Sequence, residues 1–212
     1  MKVRKILRKL LMAAMLVFLS TLGTLLCRQF SIGPQRPSPA FRTFGPANAR
    51  IRIYEFTDFA CPACRTANAH MKDLLRVYKD SVRLNFKHYP LSTVHPWSFD
   101  AAASADCAGR QGKFTEYADL LFENQQNWAF AKEQPKEFLE YAKKLKLDLS
   151  AFEKCADEET TLRQIKLDIA EGDIKGVNST PTFFVNGKRA VGAGQLLDLA
   201  KRFDNLLKEL KN

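Results

Sequence analysis

Four short stretches of the chain predict β-strands, and in the first two hydrophobic and polar residues alternate with the period of two that is typical of half-buried strands. Two of these stretches lie early in the chain and two lie late, where the turn Asn186-Gly187 favours a hairpin. The predicted strands are 51–57, 82–88, 181–185 and 188–191.

Apolar residues with helical spacing fill most of the sequence around these strands. The predicted helices are 62–78, 96–109, 113–124, 135–145, 149–171 and 195–210. One helix separates the first two strands, whereas a long helical block precedes the hairpin. This order predicts an α/β fold, in which a mixed sheet carries a helical insertion at about 92–172.

The N-terminus has a short basic tail followed by an apolar segment. Residues 1–9 contain five lysines and arginines, and residues 10–27, which carry no charge, would span about 27 Å as a helix. We expect a signal-anchor or a signal peptide that keeps the tail in the cytoplasm and exports the rest. An uncleaved anchor is favoured because no A-x-A site follows, although Thr21-Leu22-Gly23 would permit cleavage. Lipidation of Cys27 is less favoured because the bulky Leu26 precedes it.

A proline-rich segment, 28–47, predicts a tether without regular structure. The remaining residues, 48–212, are enough for one domain with a hydrophobic core. The chain has 33 basic and 23 acidic residues, but the five basic residues of the tail leave a net charge of only +5 for residues 10–212. Lysines scattered over helical segments explain this modest excess, and nucleic-acid binding is not indicated.

The sequence Cys61-Pro62-Ala63-Cys64 lies between the first predicted strand and the helix that follows. Unpaired N–H groups and the dipole at a helix N-terminus stabilise a thiolate at Cys61, and only a thiolate attacks disulfides. A structural zinc site would need two further ligands at similar spacing, which the sequence does not provide. We therefore expect neither a metal nor another cofactor.

Thr180-Pro181 opens the third predicted strand. A cis peptide suits this position because proline has no N–H to donate to the sheet, whereas the trans form is the alternative when the dipeptide is considered alone. Beside a Cys-x-x-Cys pair the cis form is favoured. The backbone of Thr180 would then bind an extended substrate peptide as an added strand.

Three parts of the sequence resemble one known family, the DsbA-type thiol-disulfide oxidoreductases. Residues 56–64 and 176–187 look like the two signature segments of the family, and 105–114 with Trp128 is similar to the helical insertion of its membrane-tethered or exported branch. The resemblance covers roughly residues 48–210. It implies an α/β fold, a thioredoxin-like mixed sheet with an inserted helical subdomain.

The resemblance also implies roles for particular residues. Cys61 and Cys64 would be the redox-active pair, in which Cys61 attacks and Cys64 resolves, and Pro181 would be cis. Family members place an acidic residue at the position of Glu55, where it can relay the proton of Cys64. Strand alternation puts Glu55 on the buried face with Ile53; an exposed residue without a catalytic role is the alternative.

The sequence does not decide whether the protein forms, isomerises or reduces disulfides. A helix N-terminus stabilises a thiolate by about 0.3–2 kcal/mol, and Ala63 adds no side-chain donor, so we expect an oxidase of intermediate strength. Isomerases and reductases of this family commonly carry threonine at the position of Thr180, which keeps these activities as alternatives. A tethered chaperone or a copper carrier, neither of them an enzyme, is a further alternative.

Two cysteines, Cys107 and Cys155, remain for a structural disulfide, which oxidising surroundings favour; free thiols are the alternative. We expect His70, His88 and His95 to make ordinary polar contacts. The expected partners are exported proteins that contain cysteine and a membrane protein that recycles the active disulfide. We expect a monomer in the periplasm or at the outer face of the cytoplasmic membrane.

Overall fold

The computed structural model describes residues 11–21 and 35–209, which belong to two compact units. The first unit ends at Gln35, and its residues 11–21 are helical (α1) with exposed side chains. Within the two described ranges, no helix combines the length and the apolar character that a membrane crossing requires. The other residues of the predicted tail and apolar segment, and residues 28–34, lie outside the described ranges.

A five-stranded mixed sheet forms the centre of the second unit. Its strands are β1 (Thr43–Phe44), β2 (Ile51–Thr57), β3 (Val82–His88), β4 (Thr182–Val185) and β5 (Lys188–Val191), in the spatial order β1-β3-β2-β4-β5. Strands β2 and β3 are parallel, whereas the other neighbouring pairs are antiparallel. The predicted mixed sheet is confirmed.

Helices cover both faces of this sheet. They are α2 (Pro62–Val77), α3 (Ser98–Arg110), α4 (Phe114–Glu123), α5 (Gln125–Trp128), α6 (Glu137–Lys144), α7 (Leu149–Ala156), α8 (Glu159–Ile174), α9 (Gly192–Ala200) and α10 (Phe203–Glu209). Ile53 packs with Met71 of α2 and Phe203 of α10 on one face, while Phe56 packs with Ile169 of α8 on the other. Helices α3–α8 lie between β3 and β4 in the chain, which confirms the predicted helical insertion.

The single helix predicted over 149–171 is wrong, because the structure has two helices, α7 and α8, in this region. The chain leaves the helical conformation at Glu158 (φ −67°, ψ 131°), whose carboxylate accepts a hydrogen bond of 2.7 Å from Arg110. Cys155 at the end of α7 forms a disulfide with Cys107 of α3, with the two Cα atoms 5.7 Å apart. Contacts with α3 therefore accompany the break between α7 and α8. The spacing of apolar residues within 149–171 does not reveal these contacts.

The last predicted helix, 195–210, is also two helices. The chain turns at Lys201 and Arg202, and α10 begins at Phe203, which is fully buried. The ring of Phe203 packs edge-on against Tyr78, with ring centroids 5.4 Å apart. The turn thus returns a large aromatic side chain to the core below the sheet.

The second half of the predicted tether has regular structure. Ala40–Arg42 form a 3-10 turn, and β1 then pairs with β3. Arg42 is fully buried and forms ion pairs with Asp106 of α3 and Asp168 of α8. Burial alone would raise the pKa of Asp168, but Arg42 and Lys87 of β3 lower it. These buried charges join the segment to the domain through partners that lie far along the chain.

Candidate active site

Cys61 and Cys64 lie where β2 leads into α2. Cys61 is the residue before the helix and has an extended backbone, and Pro62 occupies the first helical position. The N–H of Cys64 donates a hydrogen bond of 3.0 Å to the carbonyl oxygen of Cys61. Cys61 is half-buried, whereas Cys64 is fully buried. The sulfur of Cys61 is therefore the accessible one, and that of Cys64 is hidden behind it.

Cys61 is surrounded by groups that stabilise its thiolate. Together these groups lower the pKa of Cys61 from 9.0 to about 5, and the hydrogen bond from the Cys64 thiol has the largest effect. Partial burial opposes the shift, whereas the side chain of Thr180 and the backbone N–H groups of Cys64 and Ala63 contribute to it. Cys61 is thus a thiolate at neutral pH. The helix terminus and the lack of a donor in the Ala63 side chain can be read from the sequence, whereas the hydrogen bond from the Cys64 thiol cannot.

The pKa of Cys64 is shifted in the opposite direction to that of Cys61. Burial raises the pKa of Cys64 well above 9.0, and the neighbouring sulfur of Cys61 raises it further because ionisation would place two negative charges side by side. The backbone N–H of Asp58, 3.5 Å from the sulfur, and the side chain of Thr57 oppose this shift only in part. Cys64 is therefore a thiol at neutral pH, and it needs a proton whenever it leaves a disulfide.

Glu55 lies at the centre of β2, between Phe86 of β3 and Phe183 of β4, and is only 2% exposed. The burial predicted from strand alternation is confirmed. Burial raises the pKa of Glu55 from 4.5 to about 8, an effect that Thr57 partly opposes. Thr57 also lowers the pKa of Cys64, so the Thr57 hydroxyl lies near both Glu55 and Cys64. In the described parts of the chain this hydroxyl oxygen has no partner at normal hydrogen-bond distance. The buried carboxyl of Glu55 therefore keeps its proton at neutral pH.

The peptide bond between Thr180 and Pro181 is cis, and it lies beside the cysteine pair. The sulfur of Cys61 is 3.4 Å from the carbonyl oxygen of Thr180. Pairing between β4 and β2 begins at Thr182, opposite Phe56. The backbone of Thr180 lies just before this paired region, next to the reactive sulfur.

Asp58 supports the loop before Cys61, a role that was not predicted although the residue lies within a signature segment. Its carboxylate accepts hydrogen bonds from the N–H groups of Ala60 (2.8 Å) and Leu91 (2.9 Å). His95 Nδ1 lies 2.8 Å from the same carboxylate, which is the kind of polar contact expected for this histidine. Because the N–H of Asp58 faces Cys64, these contacts hold the backbone that surrounds the cysteine pair.

An apolar surface lies next to this loop. Phe130 packs edge-on against His95, with ring centroids 5.7 Å apart, and is 65% exposed. Val94 precedes His95 in the chain and is 61% exposed. Large apolar side chains that stay exposed beside a reactive group can contact an incoming polypeptide.

A nucleophilic cysteine at a helix start, a buried partner cysteine and a cis-proline on a mixed sheet define a thiol-disulfide oxidoreductase. Residues 38–206 match the family model described as Thioredoxin, and the chain belongs to this family. The region is 38% identical over 148 residues to the Na(+)/H(+) antiporter NhaA 3 of Salinispora tropica. That match covers 70% of this chain but 22% of the antiporter, so the chain spans less than a quarter of this curated relative.

Solved structures extend the comparison to the DsbA type. DsbA2 of Pseudomonas aeruginosa is 29% identical, with a TM-score of 0.65 over 79% of this chain and 96% of its own. The α-DsbA1 of Wolbachia pipientis is 18% identical and matches in fold, with a TM-score of 0.70 over 82% of this chain and 96% of its own. The predicted resemblance to DsbA-type thiol-disulfide oxidoreductases is confirmed, and with it the thioredoxin-like fold.

Proposed function

We propose that this chain is an extracytoplasmic oxidase that transfers the Cys61–Cys64 disulfide to cysteines of exported proteins. The observation that carries the proposal is the half-buried sulfur of Cys61 at the start of a helix beside the Cys64 thiol, an arrangement that lowers the pKa of Cys61 to about 5. A sulfur that is stable as a thiolate favours the reduced form of the pair, and this makes its disulfide a good electron acceptor. The hydrogen bond from Cys64 adds to the helix terminus and supports a stronger oxidant than the terminus alone would give.

The reaction proceeds by two thiolate attacks. A substrate thiolate attacks the sulfur of Cys61, which forms a mixed disulfide and expels Cys64 as a thiolate; the Glu55 carboxyl then protonates Cys64. A second substrate thiolate attacks the substrate sulfur of the mixed disulfide and releases Cys61 as a thiolate. The substrate loses two electrons and gains a disulfide, and the Cys61–Cys64 pair holds these electrons as its reduced form.

The backbone of Thr180 supports a role in binding the substrate. An extended peptide beside Cys61 would pair with this backbone as an added strand. Pro181 has no N–H group that could compete for the same hydrogen bonds. The exposed side chains of Val94 and Phe130 would provide apolar contact for an unfolded segment. Such contacts do not depend on one substrate sequence, which suits an enzyme that acts on many exported proteins.

The export of the domain is part of the same proposal. The basic tail and the apolar segment 10–27 favour a chain anchored by its N-terminus in the cytoplasmic membrane, with residues 36–209 on the outer side. A redox partner in that membrane would accept two electrons from the Cys61–Cys64 pair and restore the disulfide. We expect the domain to act as a monomer.

Trapping with a Cys64→Ala variant tests the proposal. Without Cys64 the free Cys61 thiolate can attack a disulfide of an exported protein and expel one of its sulfurs, and the mixed disulfide that forms cannot be resolved from the enzyme side, so exported proteins with paired cysteines should accumulate on this variant. They should be visible as adducts that a reductant removes. The matched control is Cys61→Ala, which keeps one cysteine of the pair and should trap none of them.

A different class of protein would give a different outcome. A copper carrier would bind the metal stoichiometrically through Cys61 and Cys64 and would trap few proteins, and this result would contradict the oxidase. An isomerase would trap proteins whose disulfides are already formed but wrongly paired. The identity and redox state of the trapped proteins therefore separate the alternatives.

A further inference from the structure

Asp58 begins a tight turn that leads into Cys61. The N–H of Cys61 donates a hydrogen bond of 3.1 Å to the carbonyl oxygen of Asp58, and the N–H of Ala60 donates one of 2.8 Å to Oδ1 of the Asp58 carboxylate. An aspartate that accepts a hydrogen bond from the residue two positions later fixes its local backbone. The backbone of Asp58 is therefore held by its own side chain.

A second turn, residues 91–95, binds the other oxygen of this carboxylate. The N–H of His95 donates a hydrogen bond of 2.8 Å to the carbonyl oxygen of Leu91, which closes the turn. The turn presents two groups to Oδ2 of Asp58: the N–H of Leu91 at 2.9 Å and Nδ1 of His95 at 2.8 Å. A carboxylate only accepts hydrogen bonds, so Nδ1 of His95 carries the hydrogen.

His95 is the side-chain partner of a buried carboxylate. The side chain of Asp58 has no exposed surface, and that of His95 is only 9% exposed. Among the residues that the structure describes, no other basic side chain forms an ion pair with Asp58. A buried carboxylate is costly unless hydrogen bonds satisfy it. Loss of the His95 donor should therefore release the carboxylate from its present orientation.

The N–H of Asp58 faces the sulfur of Cys64 at 3.5 Å. When a thiolate attacks Cys61, the bond between the two sulfurs breaks and its electron pair passes to Cys64. Cys64 is fully buried, so water does not reach the charge that develops on its sulfur. A hydrogen-bond donor that is fixed in advance stabilises such a charge as it forms.

We propose that His95 is a positioning residue for the departure of Cys64: through the Asp58 carboxylate it holds the N–H of Asp58 at the leaving sulfur. The inference rests on the proposed exchange at Cys61 and Cys64. It adds to that exchange a residue outside both signature segments. In this step the attacking sulfur bonds to the sulfur of Cys61, Cys64 leaves as a thiolate, and no proton moves.

Reduction of the Cys61–Cys64 disulfide by dithiothreitol at pH 7, followed by acid quench, alkylation and mass, tests the role of His95. His95→Leu has no donor, and reduction should slow about fivefold, the effect of one neutral hydrogen bond. His95→Asn places an amide N–H near the position of Nδ1 and should react within about twofold of the native protein. The matched control, His70→Leu, changes a histidine of α2 outside the turn and should also react like the native protein.

Two further measurements separate positioning from a general loosening of the fold. In His95→Leu the equilibrium constant with glutathione should stay within about twofold of the native value, because Cys64 is a thiol in the reduced protein and its thiolate is only transient. In the Cys64→Ala background the leaving sulfur is absent. There, His95→Leu should not change the rate at which Cys61 attacks dithiodipyridine.

The outcomes separate the role of His95 from the exchange itself. If His95→Leu reacts as fast as the native protein, or His95→Asn as slowly as His95→Leu, the positioning role is wrong and the exchange stands. An effect that persists in the Cys64→Ala background, or a large change in the equilibrium constant, would also overturn the role. A native disulfide that dithiothreitol does not reduce would contradict the proposed function as well.

A second variant keeps the test open if His95→Leu does not fold. His95→Gln carries its amide one bond further from the backbone than Nδ1, so its donor does not coincide with that of the native ring. His95→Gln should be about fivefold slow, and His95→Asn should again be fast. Equal rates for these two amides would overturn the role of His95.

Discussion

At pH 5 the reduced protein should react with dithiodipyridine about 40-fold faster than a cysteine in an unstructured peptide. With a pKa of about 5, half of Cys61 is thiolate at this pH, against about 0.03% of an ordinary thiol with a pKa near 8.5. This ratio of about 1,600 is offset by a loss of about 40-fold in intrinsic nucleophilicity, which falls as the pKa falls. At pH 7 the two effects cancel, and the advantage should disappear.

The pH profile of this reaction is the measurement that checks it. The first phase should rise to an inflexion near pH 5 and then stay flat, whereas the peptide rate should keep rising to above pH 8. Cys107 and Cys155 form a disulfide and do not contribute, so Cys61→Ala is the control and should remove the fast phase. Cys64→Ala should move the inflexion to higher pH because it removes the strongest stabilising hydrogen bond. An inflexion above about 8 in the native protein would remove the basis for an oxidase.

Replacing Glu55 with glutamine should stabilise the protein by about 3 kcal/mol at pH 7. Below pH 4.5 the carboxyl is protonated in both the folded and the unfolded protein and contributes nothing to the pH dependence. Between 4.5 and about 8 the unfolded carboxyl is ionised while the buried one keeps its proton, so this group destabilises the fold increasingly as pH rises. Glutamine has a similar shape and does not titrate, and it therefore removes this cost.

Unfolding by urea at pH 5 and pH 7, with the Cys61–Cys64 pair reduced, measures this difference. The gain from Glu55→Gln should be small at pH 5 and grow towards pH 8. Glu123→Gln on the exposed side of α4 is the control and should leave the pH dependence unchanged. Stability curves for the native protein and Glu55→Gln that run parallel over this range would show that Glu55 is ionised when buried.

The core of the fold could be predicted because its signals are local. The alternation in β2, the helix after Cys61 and the Asn186-Gly187 turn each report structure within a few residues. The breaks at Glu158 and before Phe203 could not be predicted, since Arg110 and Tyr78 take part in them from elsewhere in the chain. Such turns follow from tertiary contacts that override a continuous helical pattern.

The structure in the second half of the proline-rich segment could not be predicted either. Its composition favours an extended tether, but Arg42 is fully buried between Asp106 and Asp168, which come from two helices of the insertion. A buried arginine is stable only with such partners. Nothing near Arg42 in the sequence indicates them.

In the site, the cysteine pair, Glu55 and Pro181 could be predicted, because each lies in a recognisable segment or on a predictable strand face. The support from Asp58 and the closeness of Thr57 to both Glu55 and Cys64 could not, since both depend on how β2 and α2 pack together. The main cause of the low pKa of Cys61 could not be predicted either. It is the hydrogen bond between the two sulfurs, and this becomes visible only in the folded helix turn.

The reduction potential of the Cys61–Cys64 couple at pH 7 tests the central claim most directly. Equilibration with glutathione buffers of known ratio, with the reduced fraction read by alkylation and mass, gives this value. An oxidase with a stabilised Cys61 thiolate should have a potential between about −120 and −200 mV. A potential near −270 mV or lower, the range of a reductant, would contradict the account.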